Sequence, residues 1–270
     1  MAGINNDFAA IVAVACETDF VAKNADFIAL TKSILDLALT NQPESKEALL
    51  ALDMDGLTVA DRITDRSGVT GEKMELAEYS FVKGGTVTSY IHPGNKLATI
   101  VAFAQENAEY ETIHGVAMHI AAMSPIAIDA DGISQEVKDK ELAVAIEKTK
   151  AEQVNKAVEA ALKKAGINPA HVDSEDHMES NKAKGWITEE DVVKAKEIIA
   201  TVSAEKAANL NEGMIQNIAK GRLGKFLKEV CLLNQDDVTS EEKKSVRETL
   251  KAIDPELSVV SFKRVNLNVD

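Results

Sequence analysis

The hydrophobic and polar positions in the first half of the chain form a repeated pattern, in which a short apolar run is followed by an amphipathic stretch. Apolar runs rich in β-branched residues occur at residues 8–16 and 96–104, which predicts two buried strands. Stretches with apolar residues at helical spacing follow them, at residues 24–39 and 110–123. The pattern therefore predicts two units in which a strand leads into a helix.

Turn residues divide the sequence between these units into further elements. A strand is predicted at residues 72–82, and Lys83-Gly84-Gly85 leads from it into a strand at residues 86–92. Pro93-Gly94-Asn95 then leads into the second apolar run. Gly-Gly and Pro-Gly pairs are typical of connections between antiparallel strands, so we predict antiparallel pairing here. Two short helices are predicted earlier, at residues 46–52 and 57–66.

The two buried strands resemble each other in sequence. Residues 11–17 read IVAVACE and residues 100–106 read IVAFAQE, so five of the seven positions are identical. Each segment is a strand that runs into a helix, and a repeated supersecondary unit is the sequence signature of a duplicated fold. The repeat therefore predicts a two-lobed core, with chance similarity between apolar strands as the alternative.

From residue 134 onward the pattern becomes long, polar and helical. One helix is predicted at residues 134–165 and a second at residues 188–226, with a polar stretch at residues 166–185 between them. The apolar positions of the first helix recur every seven residues: Val137, Val144, Ala151, Val158 and Ala165. Narrow, Ala-rich stripes suit the seam of a two-helix coiled coil. We predict an antiparallel helical hairpin that projects from the core with a solvated tip; two surface helices packed on the main body are the alternative.

These elements together predict an α+β fold, a duplicated core of antiparallel strands and helices with the helical hairpin inserted into it. The chain is predicted to end with a strand at residues 230–233, a helix at residues 240–253 and a strand at residues 257–269. The predicted domains are a first lobe at residues 1–83, a second lobe at residues 84–133 and 219–270, and the inserted hairpin at residues 134–218.

The composition limits the kinds of partner that the chain can have. Its 270 residues carry a formal net charge of −14, and only 4% of them are aromatic. A nucleic-acid surface needs clustered Lys and Arg or aromatic platforms, so no direct nucleic-acid partner is expected. No apolar run approaches the ~18 residues of a membrane span, and no signal segment is recognised. Cys16 and Cys231 lie in apolar runs typical of buried, reduced thiols, so a cytoplasmic location is expected.

No catalytic constellation is recognised along the chain. The phosphate-binding loop, the dinucleotide-binding glycines and the nucleophile elbow are all missing from the sequence. The polar stretch contains acidic residues and histidines that could be interpreted as metal ligands: His171, Asp173, Glu175, Asp176 and His177. They lack the spacing of a metal site, so a solvated tip is favoured, and neither a metal nor another cofactor is expected. An enzyme with its own covalent chemistry is not expected either.

The segment Thr18-Asp19-Phe20-Val21-Ala22-Lys23 lies between the first buried strand and the helix that follows. An aromatic residue beside a carboxylate in a connection between rigid elements is a natural contact site. The alternative is structural, with Thr18 or Asp19 capping the helix and Phe20 packing on the core. Position alone favours this structural interpretation. We call residues 18–23 the contact segment.

Three sequence blocks resemble the elongation factor Ts family. They are TDFVAK at residues 18–23, AMHIAA at residues 117–122, and the stretch from Gly221-Arg222-Leu223 to EVCLLNQ at residues 229–235. They occur in the order of the family, and the resemblance extends from about residue 7 to the C-terminus. It implies a duplicated α+β core and a guanine-nucleotide exchange factor whose partner is the translation GTPase elongation factor Tu. Family members usually begin with a small helical domain, whereas this chain begins almost directly at the core strand.

The resemblance also implies which residues act. In the contact segment, Asp19 and Phe20 match the pair that the family inserts between two helices of the GTPase near its Mg²⁺ and phosphate site. Thr18, Val21 and Lys23 accompany them in that segment. The family's second contact, with a non-GTPase domain and a nearby hairpin, matches these residues: Met118, His119, Leu97 and Ala98. The competing function is a coiled-coil scaffold, in which the hairpin is the working surface and the contact segment is structural.

Overall fold

A computed structural model describes residues 1–240 and 243–267 of the chain. Its strands are β1 (Ala2–Asn5), β2 (Phe8–Ala15), β3 (Asp53–Met54), β4 (Leu57–Thr58), β5 (Glu75–Lys83), β6 (Thr86–Ile91), β7 (Leu97–Phe103) and β8 (Val259–Asn266). Its helices are α1 (Asp19–Ala22), α2 (Ala25–Asn41), α3 (Lys46–Leu50), α4 (Val59–Thr70), α5 (Tyr110–Met123), α6 (Gln135–Lys164), α7 (Glu175–Ala183), α8 (Glu189–Ala208), α9 (Glu212–Val230) and α10 (Val246–Ile253). This mixture of helices and antiparallel strands confirms the predicted α+β class.

The described residues divide into two compact units. One unit combines Met1–Gly132 with Lys228–Asp270, and the other is Ile133–Leu227. The division of the first unit into two lobes at residue 83, and the projection of the helical segment from the core, stay predictions. None of the described helices combines the length and apolar character that crossing a membrane requires.

The two similar sequence segments occupy equivalent places in the first unit. β2 is the central strand of the antiparallel sheet β1-β2-β5, and β7 is the central strand of the antiparallel sheet β6-β7-β8. α2 packs on β2, and α5 packs on β6 and β7. The duplicated core predicted from the IVAVACE and IVAFAQE segments is therefore present in the fold.

Burial on both faces explains why the central strands are apolar throughout. In β2, Phe8, Ala10 and Val12 belong to the cluster that includes α2. The alternate residues Ala9 and Ile11 belong to a second cluster that also contains residues of β7. A strand that is buried on both faces shows no alternation of polar and apolar residues. The apolar runs are therefore strands between a helical layer and another sheet.

The second sheet repeats this arrangement. In β7, Val101 and Phe103 pack in a cluster with Ile113 and Ile120 of α5, and Leu250 of α10 joins them. Removing a side chain such as Phe103, which is fully buried, by substitution with alanine typically costs about 3–5 kcal/mol of folding free energy. The C-terminal helix therefore completes the second hydrophobic cluster.

The turn between β5 and β6 is built from backbone in close contact with backbone. A Cβ atom added to Gly84 would lie 2.5 Å from the carbonyl oxygen of Phe103. A Cβ atom added to Gly85 would collide with the carbonyl oxygen of Ala104. The predicted Gly-Gly turn is present, and both glycines are required because no side chain fits at either position.

In the unit Ile133–Leu227, α6 packs against α8, but the predicted seam of α6 holds only toward its C-terminal end, where Val158 is buried and Ala165 packs in the same cluster. Val137, Val144 and Ala151 are exposed, whereas Ala145 and Thr149 are buried. Thr149 tolerates burial because its hydroxyl donates a hydrogen bond to the carbonyl oxygen of Ala145 at 2.6 Å. In this N-terminal part of α6 the buried positions are small or locally satisfied side chains, which a search for large apolar residues overlooks.

The polar stretch at residues 166–185 is not the solvated tip that the sequence predicts. It contains a 3₁₀ turn at Pro169–His171 and the helix α7. Val172 and Met178 are buried in a cluster with residues of α6 and α8. The apolar residues of this stretch stand singly among polar ones, so their spacing gives no periodic signal. The stretch is therefore part of a small hydrophobic core and not a solvated loop.

The single helix predicted at residues 188–226 is two helices. α8 ends at Ala208 and α9 begins at Glu212. The side chain of Asn209 donates to the carbonyl oxygen of Glu205 at 2.9 Å, and the side-chain oxygen of Asn211 accepts from the amide of Met214 at 3.0 Å. Asparagine side chains compete for backbone groups in this way, which favours helix ends.

The C-terminal predictions also need correction. No strand forms at residues 230–233, because α9 extends to Val230 and a 3₁₀ turn follows at Leu232–Asn234. In place of a strand, Cys231 forms an isolated parallel bridge with Ala127. The predicted helix begins at Val246 rather than at residue 240, and the final strand is β8. Residues 241–242 and 268–269 of these predicted elements lie outside the described residues.

Candidate functional site

The contact segment forms a single helical turn, α1, rather than an open loop. The side-chain oxygen of Thr18 accepts a hydrogen bond from the amide of Val21 at 3.4 Å and caps the turn. Asn24 then caps the following helix α2, because its side-chain oxygen accepts from the amides of Asp26 and Phe27. Thr18 therefore caps α1, whereas the long helix, which Thr18 or Asp19 was predicted to cap, is capped by Asn24.

Phe20 does not pack on the core. Its side chain is 89% exposed, whereas the neighbouring Val21 packs against the hydrophobic cluster of the first sheet. Asp19 and Lys23 are exposed as well. Burying a phenylalanine side chain is worth about 1.5–3 kcal/mol, and the exposed Phe20 side chain can supply that amount to a partner that covers it. The structural interpretation of Phe20 is therefore wrong.

The N-terminal end of the contact segment is held by a residue that sequence analysis missed. The Glu72 carboxylate accepts hydrogen bonds from the amides of Glu17 and Thr18 at 3.1 and 3.0 Å, and from the Thr18 hydroxyl at 2.5 Å. Burial, together with the negative charge of Glu72, raises the pKa of the nearby Cys16 thiol. Glu72 lies 54 residues from Thr18, so no local pattern points to it.

The C-terminal end of the segment is held by a second such residue. The guanidinium group of Arg66, on α4, donates to the side-chain oxygen of Asn24 at 2.7 Å and to the carboxylate of Asp26 at 2.9 Å. The Arg66 side chain is mostly buried, whereas that of Asp26 is largely exposed. The contact segment is therefore held at both ends, by Arg66 on α4 and by Glu72 just after α4.

The second predicted contact region is divided between exposed and buried residues. On α5, Met118 is 37% exposed, whereas His119 is fully buried. Ala98 of β7 is buried in the cluster between the sheets, and Leu97 is half-buried. Met118 is therefore the residue of this set whose side chain is most available to a partner. A histidine in an Ala-rich helix is ordinarily packed or half-exposed, and His119 is packed.

His119 makes hydrogen bonds through both ring nitrogens. The amide of Val238 donates to Nδ1 at 3.3 Å, so Nε2 carries the proton and donates to the side-chain oxygen of Gln235 at 2.9 Å. The Gln235 amide group in turn donates to the carbonyl oxygens of Met123 and Glu229. Burial lowers the pKa of His119, although Gln235 and Asp237 act in the opposite direction. This arrangement holds the histidine neutral.

A cleft of about 390 Å³ lies next to His119 within the first unit. Its walls come from α5, from α10 and from the loop that carries Asp237. Both apolar and polar side chains line it, among them Met118, Thr239, Leu250 and Ile253. It is a surface depression between helices.

The residues interpreted as metal ligands are not grouped around a common point. Within residues 1–240 and 243–267, no three His, Cys, Asp or Glu side chains are placed to hold a metal ion together. Nδ1 of His177 instead pairs with the carboxylate of Asp173 at 2.5 Å, one helical turn away. This pair is an exposed local interaction within the unit Ile133–Leu227.

The fold and the contact segment define an α+β protein of duplicated sheets that exposes an aromatic side chain on a firmly held helical turn. A family model described as Elongation factor TS matches residues 17–268. The chain therefore belongs to the elongation factor Ts family and is a translation elongation factor.

Individual relatives agree with this assignment. An elongation factor Ts of Phocaeicola vulgatus is 65% identical over 98% of this chain and 80% of its own length. One of Bacteroides thetaiotaomicron is 64% identical over 100% of this chain and 82% of its own length. A more distant elongation factor Ts, of Porphyromonas gingivalis, is 40% identical over 97% of this chain and 75% of its own length.

Proposed function

We propose that this chain is a guanine-nucleotide exchange factor that binds elongation factor Tu and accelerates the release of GDP in the cytoplasm. Membership in the elongation factor Ts family supports the partner. The observation that carries the proposal is the exposure of Phe20, at 89%, beside Asp19 on a turn that is fixed at both ends. The role requires no cofactor and no covalent chemistry.

The proposed mechanism is a coupling of two binding equilibria. A GTPase that binds its nucleotide with nanomolar affinity gains about 12 kcal/mol from it. If Phe20 and Asp19 insert where the Mg²⁺- and phosphate-bound form leaves no room, factor and nucleotide weaken each other's binding reciprocally. A thousandfold acceleration of release corresponds to about 4 kcal/mol. One aromatic anchor buried at an interface contributes about 2–4 kcal/mol, which is the magnitude required.

We also propose a second contact with elongation factor Tu on the surface of α5. Met118 supplies an exposed side chain there. His119 is buried beneath this surface and holds the loop at Gln235 and Val238 in place through its hydrogen bonds. Leu97 and Ala98 lie at the start of β7 and belong to this contact; of these two residues, Leu97 is partly accessible and Ala98 is buried. This contact anchors the factor while the contact segment acts on the nucleotide site.

The test is a measurement of GDP release. Elongation factor Tu is loaded with a fluorescent GDP analogue, and the release rate is followed as the concentration of this chain increases. We expect a saturable acceleration, and a variant with both Asp19→Ala and Phe20→Ala should lose most of it. Binding without acceleration would support the competing function, a coiled-coil scaffold. If the chain neither binds elongation factor Tu nor accelerates GDP release, both the exchange function and this scaffold interpretation are overturned.

A further inference from the structure

The Glu72 carboxylate accepts three hydrogen bonds at the N-terminal end of the contact segment. It accepts from two consecutive backbone amides, those of Glu17 and Thr18, and from the Thr18 hydroxyl. Hydrogen bonds to a charged acceptor are roughly twice as strong as those between neutral groups. The same Thr18 hydroxyl oxygen caps α1 through the amide of Val21. Glu72 therefore holds the residue on which the helical turn begins.

Glu72 is itself held in place by α4. The hydroxyl of Ser67 donates to the carbonyl oxygen of Glu72 at 2.6 Å, and the hydroxyl oxygen of Thr70 accepts from the Glu72 amide at 3.3 Å. Gly71, directly before Glu72, ends α4 with a φ of +74°, in the left-handed conformation that favours glycine. The carboxylate thus projects from a backbone that is fixed on both sides.

A single helical turn is not stable by itself, since helix nucleation is unfavourable. The side chain of Phe20 adds no support, because it extends into water. Val21 contributes packing, and the connections of Thr18 to Glu72 and of Asn24 to Arg66 supply the remainder. The orientation of Phe20 therefore depends on contacts made by its neighbours.

We propose that Glu72 is a positioning residue, which orders α1 before the partner binds and so directs Phe20 and Asp19 without touching the partner. This inference rests on the proposed exchange function. A segment that is already ordered pays less conformational entropy when it binds, and the affinity or rate rises accordingly. Loss of Glu72 should therefore reduce exchange through Phe20 and leave the core folded.

The experiment compares Glu72→Ala and Glu72→Gln with Glu75→Gln. Glu75 on β5 is an exposed control whose carboxylate lies 3.2 Å from the Lys73 ammonium, and Glu75→Gln removes the same single charge. We expect Glu72→Ala to lower the second-order rate constant of catalysed GDP release by about tenfold. Glu72→Gln should retain an intermediate rate, because its amide oxygen still accepts hydrogen bonds. Glu75→Gln should match the wild type, and all three melting temperatures should agree closely.

Two further measurements separate positioning from direct contact. In the free protein, Glu72→Ala should accelerate hydrogen exchange at the amides of Glu17 and Thr18, where Glu75→Gln should not. In a double-mutant cycle, Glu72→Ala should cost less in the Phe20→Ala background than in the wild type, since Glu72 acts through Phe20 as well as through Asp19. Additive losses would show that Glu72 touches the partner itself and would overturn the proposal.

The outcomes also distinguish this proposal from the proposed function. A wild-type chain that accelerates release, with Glu72→Ala equally fast, would overturn the positioning role alone. A wild-type chain that leaves GDP release unchanged would overturn the exchange function, and the positioning role would fall with it. Slow amide exchange at Thr18 in Glu72→Ala would show that the carboxylate is not what orders the turn, whatever the exchange activity.

Discussion

On the single turn of α1, adjacent residues meet different surroundings. Phe20 extends into solvent, whereas Val21 packs on the hydrophobic cluster of the first sheet. Both residues are apolar, and their types alone do not say which is buried. The helical turn decides, because consecutive side chains on a helix point about a quarter of a turn apart. Assigning Phe20 to the surface therefore needs the structure of the turn as well as the sequence.

Substitution Phe20→Ala should separate contact from packing. Because the side chain buries nothing in the free protein, we expect the melting temperature to stay unchanged. Catalysed GDP release should slow by at least about tenfold, in line with the loss of an aromatic anchor. Val69→Ala is a matched control, since Val69 on α4 is 76% exposed and lies outside the contact segment. A large fall in melting temperature with normal exchange would contradict the assignment.

His119 should make folding stability depend on pH. Its pKa is lowered in the folded protein from the ordinary value of 6.5, so the unfolded chain binds the proton more tightly. Stability is therefore fully present above pH ~6.5 and falls as the pH drops below it, by up to about 1.4 kcal/mol per pH unit. Asp237, 3.9 Å from the ring, moderates the fall.

Urea denaturation at several pH values checks this dependence. The wild type is compared with His119→Gln, which removes the titrating group and keeps a side chain able to form hydrogen bonds. The difference between their free energies of unfolding should shrink as the pH is lowered from about 8 to about 5. A constant difference would show that His119 does not titrate over this range.

Among the elements, those with strong periodicity were predicted well. β2, β7 and α5 lie within one or two residues of their predicted bounds, because each combines a dense apolar pattern with clear turn or cap residues. The helix α7 was not predicted, because the buried residues in its region are isolated among polar ones. The break between α8 and α9 was not predicted, because the apolar stripe continues across it while the side chains of Asn209 and Asn211 bind the backbone and end the helices there. Side-chain hydrogen bonds to the backbone, which no hydrophobic pattern records, decided both the helix break and the burial of Thr149.

The small core around α7 can be tested by substitution. Met178 is buried among residues of α6 and α8, so Met178→Ala should lower the free energy of unfolding of that unit by about 2–5 kcal/mol. Val193→Ala serves as the control, because Val193 on α8 is 60% exposed. Denaturant titration of both variants measures the effect. If Met178→Ala and Val193→Ala are equally stable, residues 166–185 do not form the hydrophobic core described, and the prediction of a solvated tip stands.

At the scale of the whole molecule, the candidate site is assembled from distant parts of the chain. The family motif pointed to Asp19 and Phe20, but Glu72 and Arg66 come from residues more than 40 positions away. Which polar side chain reaches which backbone amide is a property of the packed fold and leaves no trace in a local pattern. The sequence therefore predicted what is presented to the partner and not what holds it in place.

Replacing residues 135–217 with a flexible linker should leave the first unit folded. The hydrophobic clusters of both sheets contain no residue of Ile133–Leu227 among those described, so the deletion removes none of their packing. We expect a cooperative thermal transition and measurable GDP release, with a smaller loss of exchange than Asp19→Ala causes. Circular dichroism and the release assay give the two readouts. A deletion protein without a cooperative transition would show that the helical unit is part of the core.

The turn at Gly84 and Gly85 has a consequence for how this protein can vary. The two sheets repeat one plan, and repeated halves are free to diverge wherever side chains face water or can be repacked. At this dipeptide, which joins the strands of one half to those of the other, the carbonyl oxygens of Phe103 and Ala104 occupy the space of any Cβ atom. Every amino acid but one is excluded there on geometric grounds. The dipeptide between the two sheets is thus a place where the chain has little freedom to evolve.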